Sequence, residues 1–285
     1  MKVRIITGIV GVAVAVSALI FISTAYFGIL ISLFSLIAVY EILKVAQVKN
    51  KGIILFSVLF AAAAPSFIEY DLLSKLNLPF SSVIIIFIIL MLIMMLAQYD
   101  TTRFEHVAVA FFASLAVPFS LSTLILLRDV YIEYPGRFEK THGLYLVILV
   151  LLCSWLTDTF AYFTGVKFGK HKLCPKISPK KTIEGAVGGI ILTALFNFII
   201  LIAFNKLAFK TVLLPLWAII PISILLSIIS MFGDLSASTI KRNYGIKDFG
   251  KFFPGHGGVM DRFDSVLFVA PTIYAAVVIS QVLKL

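Results

Sequence analysis

The sequence predicts an all-α, polytopic integral membrane protein with about nine transmembrane helices and a cytoplasmic N-terminus. Three observations carry this. Of the 285 residues, 61% are hydrophobic and 13% charged, with a mean hydropathy of +1.08, far beyond what a water-soluble domain can solvate. The chain divides into uncharged runs close to the roughly 20 residues that cross a hydrocarbon layer. The 24 Lys and Arg are also shared unequally between the two faces that such spans create.

In order, the runs are Ile5–Tyr40, Gly52–Ile68, Leu76–Tyr99, Val107–Leu127, Gly143–Thr157, Gly185–Asn205, Thr211–Gly233 and Ser265–Leu283. The first is long enough for two helices, parted at Ser23-Thr24-Ala25-Tyr26 by polar and interface-seeking side chains. No small-residue cleavage site follows Met1-Lys2-Val3-Arg4, so this run reads as a retained span. The nine helices divide into the first three (1–75), two in the middle (76–142) and four that carry the chemistry (143–285), with cytoplasmic loops at 164–182 and 234–260.

Nine spans put the two ends of the chain on opposite faces. The face of the N-terminus carries Lys2, Arg4, Lys44, Lys49, Lys51, Arg103, the six lysines from Lys167 to Lys181, Lys241, Arg242, Lys247, Lys251 and Arg262, which is 17 of the 24. The other face carries 7, so the first is expected in the cytoplasm and Leu285 outside. Orientation and anionic headgroups account for the net charge of +10 without a nucleic-acid partner. Cys153 and Cys174 show neither CxxC spacing nor a second pair, which argues against a thiolate metal site or a disulfide framework.

Three polar segments interrupt the basic face. In CSWLTDTFAYFTGVKFGKHK, Asp158 follows a short uncharged run, so its helix is expected to continue to about Phe163 and to hold the carboxylate below the membrane surface. Such a group costs on the order of 2.5–3.5 kcal/mol at the bilayer centre and less near a helix end, so its presence points to function. In KISPKKTIEGAVGG, Ser178-Pro179 turns the chain and Thr182 caps a helix with Glu184 in its first turn. Lys180 and Lys181 then stand where backbone amides and the helix dipole favour an anion, a candidate phosphate site.

The third segment runs from Gly233 to Ser265. Asp234 is expected to end one helix, Pro254-Gly255-His256-Gly257-Gly258 to make a tight turn, and Asp261 and Asp264 to share a helix face. Like charges gathered this way repel unless a cation holds them, and all-oxygen donors select a hard ion, Mg²⁺ first. Asp234, Asp261 and Asp264 are therefore the candidate ligands, and His256, set between glycines, a candidate donor to phosphate.

The run STIKRNYGIKDFGKFFPGHGGVMDRFD resembles the signature of phosphatidate cytidylyltransferases, also called CDP-diacylglycerol synthases, at Ser238, Ile240, Lys241, Arg242, Lys247, Asp248, Gly250, Pro254, His256, Gly257, Gly258, Asp261, Arg262, Phe263 and Asp264. SPKKTIEG and WLTDTFAYFTGVKFGKHKL are similar to two further blocks of that family, so the likeness runs from about Trp155 to Asp264. It implies Mg²⁺-dependent transfer of a cytidylyl group from CTP to phosphatidic acid, giving CDP-diacylglycerol and pyrophosphate. It further implies a catalytic set of Asp234, Asp261, Asp264, Lys241, Arg242 and His256. Ser178, Lys180, Lys181, Glu184, Asp158, Ser238, Lys247, Asp248, Gly257, Gly258 and Arg262 then serve the substrates. A homodimer in the inner cell membrane, with its active site facing the cytoplasm, completes the expectation. Two other readings compete: a transporter or flippase for a phosphorylated solute, because of Asp158, and a related lipid-phosphate nucleotidyltransferase. The Asp-x-x-Asp-Gly run expected of enzymes that consume CDP-alcohols is absent.

Overall fold

The computed structural model describes residues 2–282, with side chains from Ile6 onward. Leu285, and the side chains of Lys2, Arg4 and Lys284, which enter the orientation argument, lie outside the described residues. The chain is nearly all helical: α1 (Lys2–Ile20), α2 (Ala25–Val45), α3 (Lys51–Glu69), α4 (Leu72–Lys75), α5 (Phe80–Ala97), α6 (Phe104–Arg128), α7 (Val130–Glu133), α8 (Lys140–Phe168), α9 (Ile183–Leu207), α10 (Leu216–Asn243), α11 (Met260–Phe263) and α12 (Val266–Val282). A hairpin of β1 (Lys172–Cys174) and β2 (Ser178–Thr182) joins α8 to α9. Among the described residues, seven helices are long and apolar enough to cross a membrane, and Ile6–Ile20 and Val266–Val282 are shorter apolar helices.

The break predicted at Ser23–Tyr26 falls where α1 gives way to α2. Other helix ends move. At 1.5 Å per residue, the 29 residues of α8 and 28 of α10 reach more than 40 Å, beyond a hydrocarbon core of about 30 Å. Consequently α8 continues to Phe168 instead of stopping near Phe163, and α10 runs nine residues past Asp234 instead of ending there. A backbone that satisfies its own hydrogen bonds has no reason to unwind at the first charged side chain. Ser178 and Pro179 lie in β2, and the chain turns before them, where Ile177 N–H donates to Cys174 O at 3.2 Å.

The chain divides into two compact units, one of Met1–Ile125 with Tyr244–Phe263, the other of Leu126–Asn243 with Asp264–Leu285. In the first, α2 packs on α3 and α11. Asn50 caps α3 by accepting N–H from Gly52 and Ile53, while its amide donates to Met94 O at 2.7 Å and Thr102 Oγ1 at 3.0 Å, tying the start of α3 to the end of α5. Phe60 stacks on Phe87 with ring centroids 4.4 Å apart, and Phe34 meets Phe263 at 5.0 Å.

In the second unit α8, α9, α10 and α12 form a bundle, with the longest contact between α8 and α9. Small residues make that closeness possible. A Cβ on Gly185 would sit 2.6 Å from Ala161 O, and one on Gly189 would sit 2.8 Å from Thr157 O and 2.9 Å from Ala161 Cβ. Helices in lipid gain little from burying apolar surface against one another, so close backbone packing and polar contacts supply the attraction. Buried Thr157 bonds Thr193 and Ser227, and buried Asn197 bonds Cys153 Sγ and Ser223 Oγ. Gly189→Ala is therefore expected to overpack this seam and cost about 1–3 kcal/mol. Its unfolding midpoint in detergent should fall by several degrees, and an unchanged midpoint would show that α8 and α9 tolerate separation there.

Candidate functional site

The second unit gathers one group of polar side chains from α8, β2, α10 and the turn before α12. Successive strand residues face opposite ways, so β2 exposes Lys180 and turns Lys181 inward. Lys181 Nζ lies 3.2 Å from Asp158 Oδ1 and also forms an ion pair with Asp234 Oδ2, a buried oxygen. Burial pulls the Lys181 pKa down, but Asp158 and Asp234 more than offset this and raise it above the usual lysine value. Asp264, 6% exposed in the turn before α12, receives the N–H of Ser265 at 2.7 Å. Its burial, and after that the charges of Asp234 and Asp158, push its carboxyl up to about 7, while Lys241, itself 8% exposed, pulls the other way. Gly233 lets the Asp264 turn approach α10, since a Cβ there would lie 2.8 Å from Asp264 O.

The hairpin is pinned from both sides. Glu184, in the first turn of α9, accepts N–H from Lys170 at 3.0 Å and His171 at 3.2 Å, and the His171 ring nitrogen lies 2.6 Å from Oε1. Arg242 Nε donates to Ile177 O at 3.2 Å. Thr182 caps α9 as the sequence predicts, accepting N–H from Gly185 at 3.1 Å. Ser178 is half-buried opposite Cys174 in the hairpin register, and Ser238 is buried on α10. Lys181 is thus held by carboxylates, and Glu184 by backbone amides.

The first unit carries the other polar group, on residues 244–263. The predicted tight turn is present: Gly255 and Gly257 take φ of +81° and +86°, a region that disfavours side chains, and His256 N–H donates to Phe253 O at 2.8 Å. Thr7 Oγ1 donates to Pro254 O at 3.0 Å and lies 2.8 Å from His256 Nδ1. Thr7 thus holds both the turn's backbone and the His256 ring. Arg262 Nη2 donates to His256 O, while Lys247 and Asp248 are exposed.

Asp261 and Asp264 do not share a helix face as expected, because α11 ends at Phe263. Asp261 Oδ2 instead accepts N–H from Phe249 at 2.8 Å and Gly258 at 2.9 Å. A second carboxylate of this loop escapes the sequence reading. Glu41 of α2, 5% exposed, accepts N–H from Val259 at 3.2 Å and Met260 at 3.0 Å. In the sequence it marks only the end of an uncharged run, and nothing local indicates a partner more than two hundred residues away.

Among the described residues no group of three or more His, Cys, Asp and Glu side chains is gathered as a metal cage. Mg²⁺ needs none, because it takes one or two carboxylates and completes its shell with water and phosphate oxygens. Asp234 and Asp264 offer that hard-oxygen set, and the Lys181 ammonium between Asp158 and Asp234 shows that the place favours positive charge. The donors fit the ion.

Long apolar helices with a lysine held between two of their carboxylates define a polytopic helical membrane protein with a charged site. The chain belongs to the cytidylyltransferase family, whose profile matches residues 2–280. It is similar to a protein of Bacillus subtilis (strain 168) named phosphatidate cytidylyltransferase, 31% identical over 280 residues and 96% of each chain. A Thermotoga maritima protein of the same name is 34% identical over 252 residues, 86% of this chain and 85% of the relative. One from Staphylococcus saprophyticus is 45% identical over 132 residues, 46% of this chain and 48% of the relative.

Lys181→Met removes the cation between Asp158 and Asp234. Breaking a fully buried pair costs about 3–5 kcal/mol, but Asp158 is 40% exposed and water screens it, so about 1–2 kcal/mol is expected here. Lys180→Met, at an exposed position, should leave the unfolding midpoint unchanged. Equal midpoints for the two variants would contradict the inward placement of Lys181.

Proposed function

We infer that the chain transfers the cytidylyl group of CTP to the phosphate of phosphatidic acid, giving CDP-diacylglycerol and pyrophosphate in phospholipid biosynthesis. The observation that carries this is the joining of Asp158, Lys181 and Asp234, with Asp264 and Lys241 electrostatically coupled to them, in a membrane chain of the cytidylyltransferase family. A phosphate monoester, with a second pKa of about 6, is largely ionised at neutral pH and needs no strong base. Its oxygen attacks the α-phosphorus of CTP, a new P–O bond forms, and the bond to the β-phosphate oxygen breaks. Two anions must meet and a third must leave, so neutralising and orienting charge is the main task.

Lys181, kept protonated by its carboxylate partners, and the neighbouring Lys180 supply cations to the phosphates. Lys241 and Arg242 extend the positive set along the last turn of α10. His256, its ring held at Nδ1 by Thr7, is the candidate donor to phosphate. Asp234 and Asp264 would hold Mg²⁺, and the family resemblance adds Asp261 as a third ligand. When bound, the ion would neutralise phosphate charge and polarise phosphoryl oxygens. Ser178, Glu184, Ser238, Lys247, Asp248, Gly257, Gly258 and Arg262 complete the substrate-binding set implied by the resemblance.

Nine spans, counting the two shorter apolar helices, would place the N-terminus and the basic loops in the cytoplasm, where CTP is found, in a homodimer of the inner cell membrane. The division of the basic residues supports this orientation. In a variant with Cys153 and Cys174 replaced by Ser, an impermeant thiol reagent added outside should leave Lys172→Cys unlabelled and label it only after permeabilisation. Outside labelling would reverse the topology.

The activity test is the purified protein with labelled CTP and phosphatidic acid, following CDP-diacylglycerol and pyrophosphate with Mg²⁺ and with chelator. Both products are expected in equal amounts, and only with the ion. Asp234→Asn and Asp261→Asn should each lower turnover by on the order of 10²-fold or more, with partial rescue by raised Mg²⁺ or Mn²⁺. Near-normal turnover of both at low Mg²⁺ would overturn the ligand assignment.

A further inference from the structure

Residues 249–259, which carry His256 and lead into α11 with its Asp261, form a loop with little secondary structure of its own beyond a Phe253–Gly257 bridge. Such a loop keeps its shape only where its backbone N–H groups find acceptors. Two carboxylates provide them. Asp261 takes the amides of Phe249 and Gly258 from within the loop, and Glu41 takes those of Val259 and Met260 from the membrane helix α2. The Glu41 carboxylate enters the loop so closely that a Cβ on either Gly250 or Gly258 would overlap it. Glu41 is 5% exposed at the end of the apolar run, and burying a carboxylate is costly unless its charge is matched by donors. Lys44, on the same helix, and Asp261 are its charged neighbours.

We propose that Glu41 is a positioning residue for cytidylyl transfer, holding the His256–Asp261 loop against α2 by accepting the amides of Val259 and Met260. The role rests on the reaction proposed above. Glu41 need touch neither substrate; its effect passes through the placement of His256, Asp261 and Arg262, and catalytic groups displaced by about 1 Å can lose 10²-fold in rate. Lys180 and Lys181 stand on β2, outside this loop.

The test uses the full-length protein in detergent micelles, with Glu41→Gln and Gly250→Ala as variants. Gln keeps the size of the side chain but turns an amide donor toward a backbone N–H, and Ala at 250 presses a methyl group into the carboxylate. Both should lower kcat about 10-fold or more while leaving KM for phosphatidic acid within about 3-fold. Hydrogen exchange, measured without substrate, should quicken in the 249–263 segment and stay unchanged in α3, α8 and α9. Wild-type kcat in Glu41→Gln would overturn the proposal, as would lost turnover with unaltered loop exchange. Quickened exchange throughout α2 and α3 would make Glu41 a packing residue and end the proposal equally. If the unsubstituted protein transferred no cytidylyl group, the reaction would fail and the catalytic role with it, while the exchange data would still report whether Glu41 holds the loop.

Discussion

A carboxylate in or beside a hydrocarbon layer must be matched to a donor or a cation, and that requirement organises this chain. Asp158 and Asp234 are matched by Lys181, Asp261 by two amides of its own loop, and Glu41 by two more. Two of these matches close a distance in sequence that local structure could not: 23 residues from Asp158 to Lys181 and more than two hundred from Glu41 to Met260. The apolar helices satisfy their own backbones, so close packing at small residues and matched polar groups together determine which segments stay in contact.

The same groups are suited to chemistry on phosphate. A lysine already stabilised by two carboxylates stays charged despite its burial. Asp264, buried beside two like charges and opposed by Lys241, has an electrostatic environment that a divalent ion would relieve. The small residues at the α8–α9 contact, Gly185 and Gly189 among them, let the helices bearing Asp158 and following Lys181 approach closely enough for this arrangement.

The loop of the first unit works by a different economy of hydrogen bonds. Glycine amides beside a histidine suggest a phosphate cradle, yet the Gly258 amide donates to Asp261 and those of Val259 and Met260 to Glu41. These three amides are committed to holding the loop's shape. The positive φ of Gly255 and Gly257 belongs to that shape, since both lie in the turn that brings Pro254 O and the His256 ring to Thr7.

What could be read from the sequence alone was whatever has a one-dimensional signal. Apolar run lengths gave the helices, the polar interruption at Ser23–Tyr26 gave the first boundary, Thr182 gave a cap, and the glycine-rich Pro254–Gly258 run gave a turn. The resemblance between Trp155 and Asp264 identified the family and marked most of the polar residues. Tertiary structure decided the rest. Helix ends were placed short, near Phe163 for α8 and at Asp234 for α10, because charge marks the edge of the hydrocarbon, whereas backbone hydrogen bonding carries a helix beyond it. The inward turn of Lys181 depended on a hairpin too short to show periodicity, and the separation of Asp261 from Asp264 on α11 ending at Phe263. Glu41 was invisible for the simplest physical reason: its partners are backbone amides, which every sequence has, and only the folded chain brings a particular two of them within 3.2 Å.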